Sequence, residues 1–406
     1  MSEKNNNVPA IRFAGFTDAW ERRKLGEVGE INPYSEVPEY FEYVDLESVL
    51  DTMLISHRKE NKRTAPSRAR RLAKKGDLFY QAVRPYQKNN YLFDLESNNY
   101  VFSTGYIQIR SNNVDSYYLL TQIQTDHFVN KVLERCTGTS YPAISSTDLA
   151  KIEIFYPKQK AEQTQIGNFF KQLDDTIANH QRELEKYKNL KTSYLEKMFP
   201  KENEAFPELR FPNFTDAWER RKLGDIAERI TRKNGDLSVT LPLTISAQEG
   251  LIAQTEFFDK QVASKNISNY YVIENGEFAY NKSYSNGYPF GAIKRLDNYN
   301  NGVLSVLYII FKPKDIYSQF LVSYFDSNYW HGEVASIAVE GARNHGLLNI
   351  SSNDFFDIKL NIPKSLEEQT QIGNFFKQLD DTIANHQREL EKYQKIKLAY
   401  LEKMFV

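Results

Sequence analysis

From Ile166 onward the apolar positions fall in alternating steps of four and three: Ile166, Phe170, Leu173, Ile177, His180, Leu184, Tyr187, Lys191, Tyr194, Met198. A heptad rhythm held for more than four heptads predicts a long helix with one apolar stripe. No proline interrupts it, Gly167 lies in its first turn, and Lys191 is the one defect, with Leu190 beside it to take over the contact. The same stripe returns near the C-terminus as Ile372, Phe376, Leu379, Ile383, His386 and Leu390, with Gly373 in its first turn. A helix of about 36 residues is roughly 54 Å long. Alone, its stripe would be wet. The identical stripe of the other helix is its natural cover, and the body between the two makes an antiparallel pair the expected closure.

Elsewhere the period drops to two. Runs rich in Tyr, Phe, Ile and Val predict strands at 91–93, 106–110 and 152–156, and again at 304–311 and 358–362. Helical spacing recurs over 117–132 and 318–329.

These elements sit in a duplicated frame. Residues 162–187 recur unchanged as residues 368–393, at an offset of 206. A head motif, FTDAWERRKLG, occupies 16–26 and again 214–224, and Pro9, Arg12 and Phe13 match Pro207, Arg210 and Phe211 at the head motif's offset of 198. The bodies between head and tail diverge but keep a faint register. Residues 75–80 (KGDLFY) resemble 275–280 (NGEFAY), and Ile144, Asp148, Ile152 and Pro157 match Ile350, Asp354, Ile358 and Pro363. The expected order is a loose leader at 1–10, a first body at 11–160, a central helix at 161–200, a linker at 201–210, a second body at 211–366 and a terminal helix at 367–406.

Length 406 allows two or three cores, and 41% apolar with 14% aromatic residues indicates a folded chain. The single cysteine excludes an internal disulfide framework and fits a reducing compartment. No apolar run reaches membrane-spanning length, and the polar start carries no signal-peptide core. A net charge of −1 means that any nucleic-acid contact must rest on local patches.

The chemistry of catalysis is hard to find. There is no phosphate-binding P-loop and no glycine-rich turn for a nucleotide or S-adenosylmethionine. Asn32-Pro33-Tyr34 is one proline short of an amino-methyltransferase tetrapeptide and reads as a turn. Asp357-Ile358-Lys359 has the form of some nuclease motifs but reads as strand decoration without an upstream acidic partner. Six histidines and one cysteine give no metal-ligand spacing; His180 and His386 lie on the helical stripe and read as packing residues.

What remains is recognition. Residues 57–75 carry nine cations, among them Lys62, Arg63, Arg68, Arg70 and Arg71, against the single acid Glu60. Such a run is either a solvated face or a phosphate contact, and in a neutral protein its density points to DNA. Gln81, Arg84, Tyr86 and Lys88 follow at once and mix residue types that hydrogen-bond base edges and stack on them. The second body offers Asn281, Lys282 and Tyr284 at the comparable place. A glycine-flanked loop with Arg343, Asn344 and His345 there has its counterpart in Thr139 and Ser140 of the first body.

This layout resembles the specificity subunit of type I restriction-modification systems. The resemblance covers nearly the whole chain. It rests on Trp20 and Trp218, each followed by Lys-Leu-Gly (Lys24-Leu25-Gly26 and Lys222-Leu223-Gly224), and on Pro157 and Pro363, each followed by Glu-Gln and a helix (Glu162-Gln163 and Glu368-Gln369). The first body's GDLFY and Arg84-Pro85-Tyr86 also match; the second body has no Arg-Pro-Tyr. The resemblance implies an α+β architecture: two pseudo-symmetric mixed α/β recognition domains separated by two long helices forming an antiparallel coiled coil. Each domain would read one half of a bipartite, asymmetric double-stranded DNA target. The helices would set the spacer, and two methyltransferase subunits would dock on the frame. S-adenosylmethionine would belong to those subunits, and ATP and Mg to a restriction subunit. This chain would be cytoplasmic, free of membrane, with no cofactor or active site of its own. Two other readings stay open: a self-contained DNA modification enzyme, and a coiled-coil adaptor that does not touch DNA.

Overall fold

The structure is a computed structural model that describes residues 7–246, 249–257, 266–284, 287–338 and 348–406. The chain divides into two compact units: Met1–Glu183 with His386–Val406, and Leu184–Asn385.

In unit one the head motif supplies a strand, Glu21–Lys24, antiparallel to Glu153–Tyr156 with Glu21 opposite Tyr156. This pair closes the body at its two ends. Inside it lies an antiparallel sheet in the order Gly29–Ile31, Tyr106–Ser111, Asp77–Gln81, Tyr91–Leu92. Every residue of Asp77–Gln81 is buried because both faces are covered. Leu78 and Tyr80 join the core under the helices, while Phe79 stacks on Phe102 at 3.6 Å, facing a second sheet. That second sheet runs Arg58–Asn61, Tyr40–Val44, Tyr100–Ser103, Ala69–Leu72, and its central pair is parallel. The helix expected over 117–132 is two helices, Ser116–Ile123 and Asp126–Leu133. The Thr125 hydroxyl accepts from Phe128 N and caps the second, so the chain turns there.

Unit two repeats the plan. Glu219–Lys222 pairs with Lys359–Ile362, and the sheet order is Ala227–Ile230, Ile309–Pro313, Phe278–Asn281, Ala292–Arg295. Tyr280 lies opposite Ile309 as Tyr80 lies opposite Ile107, which fixes the register between the units. The strand expected over 304–311 is interrupted: Asn301–Leu304 and Ile309–Pro313 are joined by a turn in which Tyr308 N donates to Ser305 O. The helix at 318 ends at Asp326 rather than 329.

The two long helices are Lys160–Lys197 and Leu366–Lys403, 38 residues each. Within each unit a segment of one runs antiparallel to a segment of the other. In unit one Phe169 meets Tyr400 at 5.0 Å and His180 stacks on Tyr393 at 5.7 Å. In unit two Tyr194 meets Phe375 at 5.0 Å. Of the stripe residues, Ile166, Phe170, Leu184, Ile372, Phe376, Leu379 and Leu390 are buried, while Leu173, Ile177 and Ile383 are half-buried. Ile166 and Phe170 enter the core of unit one, which Leu401, Met404 and Phe405 complete. Met198 and Phe199 do the same for unit two.

The repeated motifs form a clasp. Arg12 donates from Nε and Nη2 to both oxygens of buried Glu162 at 2.6 and 2.8 Å, and Trp20 Nε1 donates to the same carboxylate at 3.3 Å. Arg210, Trp218 and Glu368 repeat this at 2.7, 2.8 and 3.2 Å. Gln163 accepts from Asp115 N and donates to Pro157 O; Gln369 does so with Tyr317 N and Pro363 O. Gly167 and Gly373 let the helix approach: a Cβ on Gly167 would lie 2.8 Å from Asp115 Oδ1 and from Tyr118 N, and one on Gly373 2.8 Å from Phe320 N. The segment expected as a loose leader is tied down from Asn7 on, whose carbonyl accepts from Trp20 N.

Candidate nucleic-acid interface

The basic stretch of unit one forms both edge strands of the second sheet, Arg58–Asn61 and Ala69–Leu72, with residues 62–68 turning between them. Edge strands with charged side chains are a common way to blunt pairing with other chains, so charge alone does not define a site here. Its cations differ in availability. Arg58 is bound by Glu60 and Asp45, which raise its pKa. Lys62 and Arg63 lie 3.9 and 3.5 Å from Glu36 and Glu39, and Lys75 pairs with Glu96. Arg71 is half-buried; burial and its neighbour Arg70 lower its pKa, and its Nε has no partner. Arg68 and Arg70 are exposed with no carboxylate partner among the described residues. Together with Lys59 and Lys74, which are likewise exposed without a carboxylate partner among the described residues, they are the cations most available to phosphate.

A second cluster gathers at the end of the strand Asp77–Gln81. Gln81 is buried, and its amide donates to Gln87 Oε1 and accepts from Asn89 N. It braces the following turn and does not face outward as a base reader would. That turn holds Arg84 and Lys88 in the left-handed region, φ 53° and 57°, a conformation that costs a non-glycine residue about 1–2 kcal/mol. Pro85 disfavours the right-handed helical region for Arg84, and Arg84 N donates to Pro142 O at 2.8 Å. Lys88 is committed to Asp126 at 2.6 Å, while Tyr86 is exposed.

The loop bearing Thr139 and Ser140 comes to the same place. Thr137 and Ala143 exchange backbone hydrogen bonds, Gly138 makes the turn at φ 88°, and Ile144 N donates to Ala82 O. Thr139 and Ser140 are exposed. Tyr141, next in sequence and also exposed, carries the Arg84 guanidinium over its ring at 4.3 Å. Sequence reasoning missed Tyr141; its signal was an aromatic residue directly after the Thr-Ser pair of a polar loop.

In unit two, the strand register sets Tyr280 at Tyr80, with Asn281 next in the strand as Gln81 is in unit one; Lys282 and Tyr284 follow in sequence. Lys282 donates to Ile350 O at 3.1 Å, and burial lowers its pKa. Tyr284 is exposed. Arg343, Asn344 and His345 lie outside the described residues.

The other residues singled out in the sequence have structural partners. Asn32 sits at φ 53° and its side chain accepts from Gln108 N, a turn as expected. Asp357 pairs with Lys222 at 2.7 Å. His180 Nδ1 lies 3.1 Å from His386 Nδ1 within the helix pair. No group of three or more His, Cys, Asp or Glu among the described residues could hold a metal ion, and none of their helices is long and apolar enough to cross a membrane.

The chain belongs to the family of type I restriction modification DNA specificity domains, whose model matches residues 17–189 and again 215–395. It is similar to the specificity subunit of the type I restriction enzyme HindI from Haemophilus influenzae, 26% identical over 171 residues. That match covers 39% of this chain and 36% of the relative, so the aligned stretch spans about a third of the relative's length. In fold it is similar to the S subunit of the type I restriction-modification system from M. genitalium, with a TM-score of 0.67, 15% identity and coverage of 98% of this chain and 99% of that one.

Proposed function

We propose that this chain is the DNA-reading subunit of a type I restriction-modification complex in the cytoplasm, and that each unit reads one half of a bipartite, asymmetric duplex target. The observation that carries this reading is the contrast between frame and loops. The clasp residues Arg12, Trp20 and Glu162 recur as Arg210, Trp218 and Glu368, whereas the segments that follow the matched strands differ, AVRPYQK at 82–88 against KSY at 282–284. A frame kept twice suits a partner that docks twice, here two methyltransferase subunits. Loops that differ suit two different half-sites.

The chain itself supplies recognition and spacing, not catalysis. S-adenosylmethionine is assigned to the methyltransferase subunits, and ATP and Mg to the restriction subunits. The helices Lys160–Lys197 and Leu366–Lys403 each continue from one unit into the other, which suits a spacer.

The test is a genome-wide map of methylated adenines with the gene present, deleted, and carrying a related body in place of residues 26–157. The expected result is a bipartite motif that vanishes on deletion and changes in one half only on exchange. Change in both halves, or in neither, sinks the modular reading.

A further inference from the structure

We propose that Arg84, held on the Tyr141 ring, reads a guanine in the half-site of unit one. This rests on the bipartite reading above and adds to it the base and the residue.

Arg84 is half-buried as a residue, and its guanidinium has no hydrogen-bond acceptor among the described residues, so its donors are free to meet a ligand. The surrounding chain fixes its backbone. Its N–H donates to Pro142 O, its carbonyl accepts from Gln87 N, and its φ is 53°. The ring of Tyr141 lies against the guanidinium at 4.3 Å. Stacking uses the flat face and leaves the N–H edges free.

A planar fork of donors matches two coplanar acceptors. Guanine O6 and N7 in the major groove present such a pair, and so does a phosphate. One observation favours the base. The cations suited to phosphate, Arg68 and Arg70, lie on the exposed edge-strand segment, while Arg84 lies in the polar loop cluster with Tyr86, Thr139, Ser140 and Tyr141.

The experiment maps methylated adenines in cells carrying the full chain with its partner subunits, as wild type and as Arg84→Lys. Lysine keeps the charge and loses the fork. The expected result is a G·C pair specified in one half-site of the wild type. In Arg84→Lys the discrimination at that pair falls roughly 5- to 150-fold, while the other half-site is unchanged. Uniformly weaker methylation with no relaxed position overturns the assignment and indicates a phosphate contact. If Arg84→Lys abolishes methylation, the wild-type complex is tested on duplexes with 7-deazaguanine at each specified guanine. Weakened binding, on the same scale, at one guanine of the half-site set by residues 26–157 supports the proposal; unchanged binding at all of them overturns it. A wild-type strain without any bipartite methylated motif overturns the underlying reading instead.

Discussion

Lys397 Nζ lies 2.6 Å from Asp174 Oδ1. Lys191 stands in the same relation to Asp380, again at 2.6 Å. The pairing explains how two identical stripes choose a direction. Aligned in parallel and in register, they would set Lys191 against Lys397; antiparallel, each lysine meets an aspartate. A polar residue in a stripe commonly fixes orientation at some cost in stability. Lys191 is therefore no gap to be filled by Leu190, as its sequence suggested, but a specified ion pair.

In unit two this pair grows into a network. Asp326 accepts from Lys191 at 2.7 Å and from Lys294 at 2.8 Å. Burial works against the Asp326 carboxylate, but Lys294 and Lys191 overcome it and hold its pKa at about 2. A depressed carboxylate contributes stability that is present above its ordinary value and is lost as pH falls through the folded value. Lys191→Ala is expected to cost about 2–4 kcal/mol at neutral pH, because two shielded carboxylates lose a partner. Lys397→Ala, with only Asp174 affected, should cost less. Urea unfolding of both variants checks this. Asp380, which burial already holds above the usual carboxylate value, rises further without Lys191, so the Lys191→Ala deficit should be full at neutral pH and shrink on acidification as the carboxylates of the variant take up protons; a deficit that stays unchanged down to about pH 3 would exclude these carboxylates as its source.

The clasp makes a second prediction. Glu162→Ala strips Arg12 and Trp20 of their shared acceptor and should cost about 3–5 kcal/mol. Glu368→Ala should cost the same, and the two losses should add, since the sites share no residue. Gly167→Ala should cost about 1–3 kcal/mol by overpacking against Asp115 and Tyr118. Chemical denaturation of each variant measures these losses. A Glu162→Ala protein as stable as wild type would show that the head motif is held by something else.

The frame was legible because it is local and duplicated. The sequence pattern marked the start of both helices to within one residue and ran three residues past their ends at Lys197 and Lys403, and the motifs around Trp20 and Glu162 stood out by repetition. Their contact, 142 residues apart in sequence, did not. The interface was less legible for the same reason. Of the nine cations of residues 57–75, Arg58, Lys62, Arg63 and Lys75 looked free because their acids Asp45, Glu36, Glu39 and Glu96 lie outside the run and reach it only through strand pairing and loop packing. Gln81 looked like a base reader by residue type, yet strand alternation and the turn after it bury its amide. The strand expected over 304–311 broke at Ser305 because an apolar run gives no notice of a turn without glycine or proline.

That redistribution of charge sharpens a third prediction. Arg68→Ala with Arg70→Ala should weaken duplex binding and reduce the slope of log K against log salt by about two. Arg58→Ala with Arg63→Ala should change the slope by less, because acids already neutralise those cations. Binding titrations from low to moderate salt read both slopes. Equal slopes for the two double variants would show that the internal ion pairs do not decide which cations meet DNA.

The last prediction concerns spacing. Each long helix continues from one unit into the other, with the divisions at 183/184 and 385/386. If the helices set the distance between the half-sites, lengthening both by the same amount must lengthen the spacer. Four residues add about 6 Å at 1.5 Å per residue, and duplex DNA rises about 3.4 Å per base pair. Four-residue insertions at both divisions should therefore move the preferred spacer by one or two base pairs. Inserting in both helices preserves the pairing within each unit, including Asp174 with Lys397 and Asp380 with Lys191. Four residues form a stutter, which unwinds the coil locally but keeps the apolar stripe. The map of methylated adenines in cells carrying the doubly inserted chain gives the answer directly. The same two half-sites at a longer separation support the helices as the ruler; full methylation at the original separation would mean that something other than these helices holds the readers apart.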